Sequence, residues 1–172
     1  MRRSAALHSS AHSDWCTPLP IVTAARIAMD GIDLDPASDA DANRLVGAKK
    51  FYALSEDGLT QPWFGRVFVN PPGGQVRPFW CRLIEHWMQR ETMGGMEQAI
   101  WIGYSLEQLQ QLQGIAPCSP LDFPLCVPKK RIKFYRTDGG KADAPTHANY
   151  ICYLGPWISR FINAFSHLGD IA

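Results

Sequence analysis

The stretch Arg66-Val67-Phe68-Val69-Asn70-Pro71-Pro72-Gly73 decides how this chain is read. Its apolar run, rich in Val and Phe, predicts a buried strand. The double proline stops that strand, because proline has no N–H for a sheet ladder and its ring holds the preceding residue extended. Asn70 is thereby fixed at the carboxyl end of a strand. Its side-chain amide and the carbonyls of Asn70 and Pro71 lie close together on a stiff loop. Open α/β sheets bind ligands in the crevice outside the carboxyl ends of their strands. A rigid set of acceptors there suits an exocyclic amine, which presents two N–H donors and a lone pair. On a ring such as adenine or cytosine that lone pair is delocalised and weakly nucleophilic. Two acceptors on the hydrogens favour the pyramidal amine and free the lone pair for in-line attack on a sulfonium methyl. They bind the developing positive nitrogen better than the planar ground state, which is the condition for catalysis. Asn70, Pro71 and Pro72 are the candidate catalytic residues. A plain strand stop or a cis-proline turn is the competing account of the same residues.

Outward from this loop the chain alternates strand and helix patterns. Thr17-Pro18 predicts the cap and opening of a first helix through Ile21, Ala24, Ala25 and Ala28. A short strand over 31–34, a helical turn or two over 41–46 and a possible strand over 49–54 follow. Only 35 residues separate Asp35 from Asn70, and one βαβ unit takes roughly 30 or more. The sheet is therefore expected to be abbreviated. After the double proline, Phe79, Leu83, Ile84, Trp87 and Met88 recur at helical spacing. Residues 98–104 read as a buried strand. Ser105 with Gln108 resembles a capping box, and Leu106, Leu109 and Leu112 make one face of the helix that follows. Residues 114–128 read as a proline-rich loop. Residues 131–136 and 149–154 predict a hairpin around Asp138-Gly139-Gly140, and 157–168 a closing helix ended by Gly169. The expected fold is α/β, mostly parallel with an antiparallel edge hairpin. Residues 1–13 read as a frayed tail and 14–172 as one domain.

Composition narrows the class. The chain has 172 residues, 46% hydrophobic and 19% charged, ordinary values for a soluble globular protein. Its cysteines (Cys16, Cys81, Cys118, Cys126, Cys152) are scattered, with no Cys-x-x-Cys. That predicts neither a zinc site nor a disulfide framework, and free thiols fit a reducing cytoplasm. No signal peptide or membrane span is read near Met1-Arg2-Arg3. A formal net charge of +1 argues against a large nonspecific nucleic-acid binder. Yet Lys129, Lys130, Arg131, Lys133, Arg136 and Lys141 cluster with Phe134 and Tyr135. Basic residues interleaved with rings suit phosphates and unstacked bases, and equally a solvated strand pair.

Four segments in order resemble the phage-type DNA N-6-adenine methyltransferases. They are Trp15-Cys16-Thr17-Pro18 with Ile21; Ile32-Asp33-Leu34-Asp35-Pro36-Ala37-Ser38 with Ala42-Asn43; Glu56-Asp57-Gly58-Leu59 with Trp63 before Asn70-Pro71-Pro72; and Arg131-Ile132-Lys133-Phe134 before Tyr150-Ile151-Cys152-Tyr153-Leu154-Gly155. The resemblance implies an abbreviated Rossmann-like fold, S-adenosylmethionine as methyl donor, no metal, and adenine N6 in double-stranded DNA as acceptor, reached by base flipping in a bacterial or phage-infected cytoplasm. It implies that Asp35, Pro36 and Ala37 line the cofactor, that Thr17 and Pro18 hold its methionine carboxylate, and that Asp57 accepts from its adenine amine or ribose. The residues alone allow plainer roles: a helix-capping acid for Asp35, a helix start for Thr17-Pro18, a tight turn for Asp57-Gly58. Gly73 stands where the resemblance places the ring that stacks on the flipped base. Phe134, then Trp80, are the candidates to replace it, with Lys130, Arg131 and Lys133 on the phosphates. Tyr104 and Ser105 are candidates to line the pocket, and His147 and Asn149 to touch a phosphate. Two further functions fit the same loop: transfer to an RNA base or a protein glutamine amide, and binding of cofactor or DNA without turnover. Recognition sequence and oligomeric state are not legible.

Overall fold

Val67, Phe68 and Val69 are all fully buried, so their strand is covered on both faces. The computed structural model describes residues 15–92, 95–115, 117–136 and 148–172. Along them run the strands β1 (Trp15–Cys16), β2 (Leu34–Asp35), β3 (Lys50–Phe51), β4 (Gly65–Val69), β5 (Met96–Gly103), β6 (Leu125–Pro128), β7 (Tyr135–Arg136), β8 (Tyr150–Leu154) and β9 (Gly169–Ile171). The helices are α1 (Leu19–Met29), α2 (Ala40–Val46), α3 (Val76–Met88), α4 (Leu106–Gln113) and α5 (Ile158–Phe165). Seven strands form one sheet in the order β3-β2-β4-β5-β8-β6-β9. β3, β2, β4 and β5 are mutually parallel. β8 runs against both β5 and β6, and β9 runs against β6. β1 and β7 make a separate antiparallel ribbon.

Successive side chains of a strand point to opposite faces, and here each face has its own core. Phe68, Ile100, Ile102, Ile151 and Tyr153 pack with α1 and α5. Val67, Val69, Trp101, Cys152 and Leu154 pack with α3 and α4. Burial on both faces explains why β4 and β8 read as continuous apolar runs rather than alternating ones. At the amino end of the parallel strands, Asp33 accepts from Arg66 Nε at 2.7 Å and from Nη2 at 3.0 Å. Lys49 Nζ lies 2.8 Å from the same carboxylate, tying β2, β3 and β4 together. These cations hold the Asp33 carboxyl well below the usual carboxylate range.

The expected hairpin does not form. β8 is buried throughout and enters the sheet between β5 and β6. Around Ile132, which is buried, Arg131 and Lys133 are exposed, a pattern for a strip lying over a core rather than a strand inside one. Its continuation, β7, pairs with β1 instead. The turn around Asp138-Gly139-Gly140 lies outside the described residues, as does the expected tail over 1–13. The expected loop over 114–128 contains β6, whose prolines sit next to and at its ends where a missing N–H does little harm. The last helix ends at Phe165, and Gly169 begins β9 rather than merely terminating a helix.

Candidate functional site

β2 carries β3 on one side and β4 on the other. The chain thus departs in opposite directions from the ends of β2 and β4, the switch point at which open α/β sheets form a ligand crevice. Asp35 is the last residue of β2, and Asn70 directly follows β4. Pro71 is buried and Pro72 is extended (φ −58°, ψ 137°) before a tight turn over Gly73–Gln75 leads into α3. The stiff loop expected from the double proline is therefore present.

Asn70 continues the alternation of β4, which turns its side chain to the α1 face. There its Nδ2 donates to Thr17 Oγ1 at 3.2 Å. Thr17 is 3% exposed and sits between β1 and α1. Its hydroxyl does not cap α1: Pro18 is the N-cap residue, and its carbonyl accepts from Ile21 N at 3.0 Å. Asn70 Oδ1 is buried and has no hydrogen-bond partner in the protein. An unpaired buried carbonyl costs roughly 1–3 kcal/mol, so this oxygen is primed for a donor.

Asp35 is 3% exposed, and its carboxylate accepts from Ala37 N at 3.1 Å. Burial pushes its pKa up to about 7, with Asp39 adding to the rise; the Ala37 N–H and Ser38 hydroxyl oppose it. Asp35 caps no helix. That role belongs to Asp39, whose Oδ1 accepts from Asp41 N and Ala42 N, both at 2.8 Å. A buried carboxyl offset by no cation suits a cationic ligand group. Pro36 is buried beside it, and Ala37 half-buried. A Cβ on Gly58 would stand 1.9 Å from the Pro36 carbonyl oxygen, so only glycine lets the 57–58 turn rest on this segment. Asp57 is exposed in the left-handed region (φ 51°) and accepts from Leu59 N at 3.2 Å. The tight-turn reading of Asp57-Gly58 is realised, at the edge of the same crevice.

The substrate candidates separate. β1 and β7 pair with Cys16 opposite Tyr135, and one step further in that register Phe134 comes level with Thr17. Phe134 is half-buried against the α1-side core, the face that carries Thr17 and Asn70. Trp80 is a correction. It is fully buried in the opposite core, edge-on to Trp101 at 5.1 Å, with Nε1 donating to the Cys118 carbonyl. Trp80 is a packing residue of α3 and offers no face to a base. Gly73 is exposed at the turn. Lys130, Arg131 and Lys133 are exposed on the segment leading to Phe134. Lys141, His147 and the side chains of Tyr135 and Arg136 lie outside the described residues.

Beyond β4, the end of β5 carries the expected candidates Tyr104, Ser105 and Asn149, and adds Tyr150, which the sequence reading did not single out. Asn149 Nδ2 donates to the Gly103 carbonyl at 3.1 Å, leaving its buried Oδ1 without a partner. The Tyr150 ring fills the space where a Gly103 side chain would stand, and burial pushes its hydroxyl above the ordinary tyrosine range. Tyr104 is half-buried and likewise raised by burial. Ser105 is occupied as the α4 cap, accepting from Gln108 N at 3.1 Å, while Gln108 Oε1 accepts from Tyr104 N. Among the described residues no group of three His, Cys, Asp or Glu is placed to hold a metal, and no helix is long and apolar enough to cross a membrane.

The sequence profile of the DNA N-6-adenine-methyltransferase (Dam) family matches residues 4–154. None of the curated proteins matches the chain. The family match spans β1 through β8, with the Asn70 loop and the β2–β4 crevice inside it, and the chain belongs to the DNA N-6-adenine-methyltransferase family.

Proposed function

We propose that the protein methylates N6 of adenine in double-stranded DNA, with S-adenosylmethionine as donor. The observation that carries this reading is Asn70 Oδ1, a buried acceptor without a partner at the end of β4. The family assignment supplies the reaction class. The sheet supports an abbreviated Rossmann-like methyltransferase fold: a reversed β8 lies between β5 and β6, and β3, only two residues long, is the last strand beyond β2.

When bound, S-adenosylmethionine supplies an electrophilic methyl group. Asp35 fits its ammonium group, with Pro36, Ala37 and the 57–58 turn walling the same crevice. Asn70 Oδ1 and the Pro71 carbonyl accept the two N–H bonds of a flipped adenine amine. They favour the pyramidal nitrogen and stabilise its growing positive charge. Phe134 offers a face to the base, and Lys130, Arg131 and Lys133 approach the phosphates.

Tritiated methyl transfer to DNA, RNA and protein in parallel tests the acceptor, and mapping methylated adenines in DNA from expressing cells tests the site. Transfer to DNA adenine is expected; transfer only to RNA or protein overturns the DNA assignment. A second reading, binding without turnover, is favoured by Gly73, which offers no ring at the turn after the prolines. Cofactor binding with no transfer to any acceptor would establish it.

A further inference from the structure

Which end of the Asn70 amide faces the substrate decides whether the site works. The two ends are nearly isosteric, but one accepts and the other donates. An amine approaching the NH2 end would meet donor against donor. A threonine hydroxyl can accept from the NH2 end or donate to the oxygen, and here it accepts. Asn70 Nδ2 donates to Thr17 Oγ1 at 3.2 Å, and Oδ1 is left as the unpartnered atom. Both partners precede a proline, Thr17 before Pro18 and Asn70 before Pro71. Each backbone is thereby confined to extended conformations. Thr17 is 3% exposed, so solvent does not compete for its hydroxyl. β1, pairing with β7, holds the segment that carries it.

We infer that Thr17 is a positioning residue that locks the Asn70 amide with its carbonyl oxygen toward the acceptor amine, rather than a ligand of the cofactor. The inference rests on the amino-methyltransferase reading of this site. It assigns Thr17 to the reacting half of the crevice, across the β4 end from Asp35. The segment before α1 then serves the target base through Asn70 and Phe134, while β2 serves the donor.

Thr17→Val keeps the shape and removes the hydroxyl; Thr17→Ser keeps the hydroxyl. With DNA and S-adenosylmethionine saturating, Thr17→Val is expected to lower kcat about 10²-fold, the scale of a misplaced catalytic group. Affinity for S-adenosylhomocysteine by calorimetry should stay unchanged, Thr17→Ser should restore kcat, and Thr17→Val should add nothing in an Asn70→Ala background. Weakened S-adenosylhomocysteine binding with normal saturated turnover would make Thr17 a cofactor ligand and overturn the inference. A readout without turnover separates this from failure of the methyltransferase reading. In 15N-labelled protein the Asn70 side-chain NH2 resonances, identified by their loss in Asn70→Ala, should shift and exchange faster in Thr17→Val and return in Thr17→Ser. If they are indifferent to Thr17, the clamp does not exist, whether or not the protein methylates anything.

Discussion

Asn70 and Asp35 stand at the carboxyl ends of the neighbouring strands β4 and β2 with opposite problems: one has an acceptor lacking a donor, the other a buried acid lacking a cation. Removing the acceptor should be costly only in turnover. Asn70→Ala is expected to lower kcat by about 10²–10³, as for loss of one preorganised polar group, with S-adenosylhomocysteine affinity retained in calorimetry. Asp35 makes a pH prediction. Its pKa rises from 3.8 unfolded to about 7 folded, so the folded state holds the proton more tightly. The stability this gives is complete below pH 3.8 and is lost as pH rises through about 7. The cofactor-free protein should lose on the order of 4 kcal/mol across that window, seen as a falling Tm between pH 5 and 7. Asp35→Asn should flatten the slope. Asp35→Ala should weaken S-adenosylhomocysteine while leaving DNA binding intact. A pH-independent Tm in the parent protein would mean that Asp35 is already solvated or paired.

Among the elements, the ribbon of β1 and β7 is only two pairs long, yet it brings Phe134 to the side of Thr17. If Phe134 supplies the stacking face that Gly73 lacks, its loss removes base–aromatic stacking of roughly 1–3 kcal/mol, or about tenfold or more in methylation. With 2-aminopurine at the target position, Phe134→Ala should also relieve quenching of the flipped base. Gly73 is exposed and is not among the positive-φ glycines, so Gly73→Tyr should fold and restore part of the activity. A silent Phe134→Ala removes the ring from the site. At the opposite end of the strands, Arg66 joins β4 to Asp33 through its backbone N–H and two side-chain hydrogen bonds. Arg66→Ala should destabilise by about 2 kcal/mol near neutral pH, less than a fully buried pair because both side chains stay partly in water. Asp33 is held ionised by its partners, so the stability it gives is present above its ordinary value of 3.8 and lost as pH falls below. The gap between parent and Arg66→Ala in chemical denaturation should therefore narrow under acid.

Over the whole molecule, a net charge of +1 gives no broad attractive field, so the proposed DNA substrate would have to be met by a local strip. Reversing the charges of Lys130 and Lys133, both exposed, should lower the slope of log affinity against log salt by about one for each phosphate no longer neutralised. An unchanged slope would turn that strip away from DNA. The strand running into Asn70-Pro71-Pro72, the short elements after Asp35, and the α3 and α4 helices were legible in the amino-acid order, although Met88 and Leu106, members of the two predicted apolar stripes, are exposed. These elements follow from period, proline chemistry and capping, which act over a few neighbouring residues. Three-dimensional packing was needed to show that β8 lies between β5 and β6, that Trp80 belongs to the opposite core, and that Phe134 packs on the α1 face. Packing alone joined Thr17 to Asn70 across 53 residues. Strand partners and buried side-chain bonds are chosen by competition among distant segments for the same two faces of a sheet. No local pattern records the outcome, because each competing segment is apolar and extended in the same way.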